Sequence, residues 1–98
     1  MNTITVQELK VKINSPDIQL IDIREEYEFE DANIGGTNIP MDNFLSSLDQ
    51  IDTTKQVIIC CKTGKRSAAM THSLERKLNM NNVYSLKGGV TEYLEIEA

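Results

Sequence analysis

The sequence predicts an α/β domain: a central, mostly parallel sheet of about five strands with helices on both faces. Two apolar runs carry the prediction, Ile18–Ile23 and Val57–Ile59. They are nearly continuous, as strands buried on both faces are. Between such runs lie stretches whose apolar residues recur at helical spacing. A chain of 98 residues makes one domain, residues 1–98, large enough for a core without staples.

In chain order, Ile4-Thr5-Val6 reads as a short strand, and Val6, Leu9 and Ile13 are spaced for one face of the helix that follows. Ser15-Pro16-Asp17 is turn chemistry. Residues 18–23 form the second strand, 25–30 a short acidic helix, and Gly35-Gly36 breaks the chain. Asn38-Ile39-Pro40 is a brief third strand, and Met41, Phe44, Leu45 and Leu48 recur at helical spacing. Gln56 to Cys60 is the central strand, and the helix after it turns Met70, Leu74 and Leu78 inward. Val83–Leu86 is the last strand, and Gly88-Gly89 leads into a final short helix carrying Tyr93. Strand-helix alternation predicts parallel pairing, with functional loops at the carboxyl ends of the strands.

Composition narrows the functional classes. The net charge of −5 argues against nucleic acid as a general partner. No stretch approaches the ~18 apolar residues of a membrane span. Met1-Asn2-Thr3-Ile4-Thr5 has neither the basic nor the apolar region of a signal peptide, so a reducing cytoplasmic setting is expected. The two cysteines, Cys60 and Cys61, are adjacent and do not suit pairing with each other. With one His and no metal-spaced ligand cluster, the sequence implies no metal and no cofactor.

The chemistry concentrates in Cys61-Lys62-Thr63-Gly64-Lys65-Arg66-Ser67, between the central strand and a helix opening at Ser67-Ala68-Ala69-Met70. There, backbone N–H groups, a helix N-terminus and three cations (Lys62, Lys65, Arg66) are expected to converge on Cys61 and favour its thiolate over the free thiol of pKa about 8.5. The same donors suit a small oxyanion. Gly64 supplies the backbone freedom that a tight anion-binding turn needs. Cys60, one step along the strand, is expected to point to the opposite side as a core residue. His72 lies opposite Met70, Leu74 and Leu78 on its helix and reads as a surface residue.

These residues resemble the rhodanese-like domain of the sulfurtransferase superfamily over nearly the whole chain. Asp22-Ile23-Arg24-Glu25 followed by Tyr27-Glu28 is similar to the family's Asp-x-Arg element; Cys61 to Ser67 is similar to its active-site loop Cys-x-x-Gly-x-Arg-Ser; and Leu86-Lys87-Gly88-Gly89-Val90 with Tyr93 resembles its closing Gly-Gly element, where Trp is usual in place of Tyr93. The stretch Ala32–Thr37 stands where the family often has Gly-His-Ile-x-Gly-Ala.

The resemblance implies that Cys61 is a nucleophile carrying sulfane sulfur as a persulfide, loaded by thiosulfate or another small anionic sulfur donor and discharged to a thiophilic acceptor. Lys62, Thr63, Gly64, Lys65, Arg66 and Ser67 would form the substrate-binding loop, with Asp22 and Arg24 as a supporting pair. It also leaves room for a sulfur carrier or a regulatory binding module in molybdopterin or thiamine biosynthesis, with a desulfurase or a sulfur-acceptor protein as partner. Cysteine phosphatases place five residues between Cys and Arg, whereas four lie between Cys61 and Arg66, so phosphatase chemistry, like arsenate reduction, is the weaker reading.

Overall fold

The computed structural model of the chain describes residues 2–97, with side chains through Glu95. Five strands, β1 (Asn2–Ile4), β2 (Ile18–Asp22), β3 (Thr37–Asn38), β4 (Gln56–Cys60) and β5 (Val83–Leu86), form one sheet in the order β1-β5-β4-β2-β3. Every neighbouring pair is parallel. The helices are α1 (Val6–Lys12), α2 (Glu26–Asp31), α3 (Met41–Phe44), α4 (Lys65–Leu78) and α5 (Gly89–Glu97), with a single 3-10 turn at Leu48–Gln50.

Strand alternation divides the core into two layers. Ile21, Val57, Ile59 and Val83 pack with Phe44 of α3 and with Met70 and Leu74 of α4 on one face. Leu20, Ile58 and Leu86 pack with Val6 and Leu9 of α1 and with Val90 and Tyr93 of α5 on the other. Cys61 belongs to the first layer and Cys60 to the second, so the adjacent thiols face opposite sides of the sheet.

Outside the β4–α4 loop, three elements differ from the sequence reading by more than a one-residue boundary. The first strand ends at Ile4, because Thr5 is taken up as the N-cap of α1. Its Oγ1 accepts from Glu8 N at 3.1 Å while Glu8 Oε1 accepts from Thr5 N at 2.9 Å, a reciprocal cap worth about 1 kcal/mol. The third strand is Thr37–Asn38, earlier than expected, since Pro40 has no N–H for the ladder and instead opens α3. The apolar spacing from Met41 to Leu48 does not make one helix: α3 closes at Phe44, Leu45 turns outward, and Leu48 begins the 3-10 turn. Met41 and Leu48 still pack against the core layer containing Phe44.

Candidate active site

Strand β4 ends at Cys60 and α4 begins at Lys65, two residues before the expected opening at Ser67. The link is tight because Gly64 turns it at φ 104°, a left-handed conformation that side-chain-bearing residues resist. The turn drives backbone N–H groups inward and side chains outward. Gly64 N donates to Cys61 Sγ at 3.1 Å and Ser67 N at 3.3 Å, and Ser67 Oγ lies 3.6 Å from the sulfur.

Burial pushes the Cys61 thiol up, but the Ser67 hydroxyl and the N–H groups of Ser67, Gly64 and Thr63 outweigh it and hold the thiol below its ordinary value. The ring of cations expected from the sequence contributes little here. Lys62 and Lys65 are exposed, and Arg66 Nη1 pairs with Glu28 Oε1 of α2 at 3.8 Å. The thiolate is therefore favoured by fixed dipoles rather than by lysine or arginine charge. Cys60 is pushed the other way, first by burial and then by the charge of Asp22, and remains a neutral core thiol.

Asp22 and Arg24 form a buried pair. Arg24 Nη2 donates to Asp22 Oδ2 at 2.8 Å, Arg24 Nε donates to both carboxylate oxygens, and the Arg24 backbone N–H donates to Asp22 Oδ1 at 3.0 Å. Arg24 Nη2 also donates to the Ala32 carbonyl at 2.7 Å, tying the end of β2 to the end of α2. Beside it lies a groove of about 360 Å³ lined by Arg24, Tyr27, Glu28, Asp31, Ala32 and Lys62. Of the loop residues expected to act together, Thr63, Gly64 and Ser67 meet at the sulfur, while the side chains of Lys62, Lys65 and Arg66 do not.

Two contributors escaped the sequence reading. The first turn of α5 holds the backbone of Cys61 itself: Val90 N donates to the Cys61 carbonyl at 2.9 Å and Thr91 N to the Lys62 carbonyl at 3.1 Å. The closeness requires Gly89, whose φ is 65° and whose added Cβ would collide with the carbonyl oxygens of Lys62 and Cys61. The Gly88-Gly89 pair was the available signal. The second contributor is Ser85 of β5, whose Oγ lies 2.7 Å from Ser67 Oγ, with no sequence signal to mark it.

A parallel α/β sheet carrying a cysteine in a loop of inward N–H groups defines a class, and comparison gives the family: residues 5–96 match the rhodanese-like domain, and the chain belongs to that family. It is 35% identical to the uncharacterized protein YqhL of Bacillus subtilis (strain 168), over 95% of this chain and 72% of the relative. It is 32% identical to the adenylyltransferase and sulfurtransferase UBA4 of Meyerozyma guilliermondii, over 87% of this chain but only 22% of that larger protein. Among solved structures it is similar to the human single-domain sulfurtransferase TSTD1, with a TM-score of 0.83, 25% identity, and coverage of 100% of this chain and 99% of the other. Among the described residues, no helix is long and apolar enough to cross a membrane.

Proposed function

We propose that the chain is a sulfurtransferase that carries sulfane sulfur on Cys61. The observation carrying this reading is the set of inward donors from Thr63, Gly64 and Ser67, which lowers the Cys61 pKa without a neighbouring base. The thiolate attacks the outer sulfur of thiosulfate; the S–S bond breaks and sulfite departs with its electron pair, leaving Cys61 as a persulfide anion. A thiophilic nucleophile then attacks the terminal sulfur and releases the Cys61 thiolate, a ping-pong cycle with no net redox change at the protein. The same N–H groups stabilise thiolate and persulfide because both are sulfur anions.

Family membership and the sulfurtransferases among its relatives support the reaction class. The donor is thiosulfate or a protein-bound persulfide, such as one on a desulfurase, and the acceptor is a small thiophile or a sulfur-accepting protein. The setting is the cytoplasm, where such thiols stay reduced. Thiocyanate formation from thiosulfate and cyanide tests this, run beside loading from a persulfidated donor protein. Turnover with either donor in wild type and its abolition in Cys61→Ser is the expected result; turnover that survives Cys61→Ser would overturn the role of Cys61.

A further inference from the structure

Cys61, Ser67 and Ser85 form a buried chain of three side chains that crosses from the β4–α4 loop through α4 to β5. Ser67 is fully buried and Ser85 is 2% exposed. Ser67 Oγ has three neighbours within reach: the Gly64 carbonyl at 3.1 Å, Ser85 Oγ at 2.7 Å and Cys61 Sγ at 3.6 Å. It has one proton to give. The Gly64 carbonyl already accepts from Ala68 N at 3.0 Å, so it loses nothing essential when Ser67 turns away.

Proton accounting favours one direction for the chain. Ser85 has no hydrogen-bond acceptor among the described residues other than Ser67 Oγ. If Ser67 donated to Ser85, the Ser85 proton would have no acceptor among the described residues, only the open groove that Ser85 lines, and the sulfur would lose its hydroxyl donor. If Ser85 donates to Ser67, both protons are used and Ser67 is free to donate to the sulfur. Hydroxyls arranged head to tail also polarise one another, which strengthens the terminal bond to an anion.

We propose that Ser85 is a positioning residue for the nucleophile, its hydroxyl donating to Ser67 and so committing the single Ser67 proton to the Cys61 sulfur anion. This rests on Cys61 being the reactive thiol, and it extends that reading to a strand residue outside the loop. The chain serves thiolate and persulfide alike. When Cys61 is protonated the chain reverses locally, the S–H donating to Ser67 Oγ while Ser67 returns its proton to the Gly64 carbonyl.

The test is the pH profile of Cys61 alkylation by iodoacetamide, followed by intact mass, which reads the thiolate without requiring sulfur transfer. The charged groups around the chain are Lys62 and the Arg66–Glu28 pair at the loop, Lys65 of α4, Lys87 after β5, Glu92 of α5 against Gly88, and the Asp22–Arg24 pair at the end of β2. All are left unaltered by the variants. Ser85→Ala is expected to raise the midpoint by about half a pH unit, roughly a threefold loss of thiolate on the rising limb. Ser85→Thr is expected to restore it, because threonine keeps the hydroxyl and Ser85 lines a groove of about 430 Å³. In a Ser67→Ala background, Ser85→Ala should shift nothing further. An unchanged midpoint in Ser85→Ala, a Ser85→Thr midpoint equal to that of Ser85→Ala, or an undiminished shift in the Ser67→Ala background would each overturn the proposal. Because alkylation needs no sulfur donor, loss of the sulfurtransferase reading and loss of the Ser85 role are separate outcomes.

Discussion

The backbone N–H of Val90 donates to the carbonyl of Cys61 at 2.9 Å, so α5 grips the residue proposed to carry the sulfur. The grip fixes the Cys61 peptide from behind while Gly64 and Ser67 N–H groups meet its sulfur from the front. Preorganised donors of this kind do their work because they need no rearrangement when charge appears on the sulfur.

Gly89 is what permits that approach, so Gly89→Ala should damage both stability and activity. The substitution combines a left-handed φ with a Cβ driven into two carbonyl oxygens, at a cost of about 2 kcal/mol or more. Thermal unfolding is expected to show a lower Tm. Cys61 alkylation of the folded variant should slow at a fixed pH near 7, as the loop loses its rear support.

The Ser67 hydroxyl should be visible in the pH dependence of Cys61. Because the folded thiol lies below its ordinary value, alkylation should reach its plateau below the pH at which a free cysteine does. Ser67→Ala should move the midpoint up. By linkage, a depressed acid adds stability that is fully present above its unfolded pKa of about 8.5 and is lost as pH falls through the folded value. Unfolding measured in that interval should therefore show stability rising with pH in wild type, with a smaller rise in Ser67→Ala. Cys60, pushed up by burial, should stay unmodified until the protein unfolds.

Glu28 holds the one arginine of the loop. Glu28→Gln keeps the side-chain acceptor for Glu25 N, at 3.0 Å in the native chain, and removes the charge that pairs with Arg66 and acts more weakly on Arg24. With Arg66 released, the KM for thiosulfate should fall several-fold at low ionic strength, and the difference should shrink at high salt. Stability should change by less than about 1 kcal/mol, since the pair is partly exposed. An unchanged KM would place Arg66 outside donor attraction.

Asp22 carries a different load. Asp22→Ala leaves the Arg24 guanidinium buried, with the Ala32 carbonyl its one remaining acceptor among the described residues, an arrangement expected to cost about 3 kcal/mol or more. For a chain of this size that is a fall in Tm of roughly 15 °C. Asp22→Asn, which retains an acceptor for the Arg24 N–H groups, should fall by less.

The parts of the fold that the sequence made legible are those where one physical demand dominates. Val57-Ile58-Ile59 must be buried on both faces, and β4 lies at Gln56–Cys60 as read. The β5 strand at Val83–Leu86 follows the same logic. The β1 boundary was missed because Thr5 suits a strand by propensity, yet Thr5 and Glu8 together form a capping box, and the cap won. In the loop, Cys61 and Gly64 were legible from residue type. The cations were legible as loop residues, but sequence adjacency could not show that Lys62 and Lys65 are exposed and that Arg66 pairs with Glu28, leaving N–H groups to lower the Cys61 pKa. Ser85 was invisible because it lies 18 residues from Ser67, and only the pairing of β5 beside β4 and the packing of α4 across β5 bring the two together.

The most direct test of a Cys61 persulfide is intact-protein mass after incubation with thiosulfate, for wild type, Cys60→Ser and Cys61→Ser. Persulfide chemistry at Cys61 predicts one added sulfur, about 32 Da, in wild type and Cys60→Ser and none in Cys61→Ser, with cyanide removing it. An adduct that survives Cys61→Ser, or one lost only in Cys60→Ser, would contradict it.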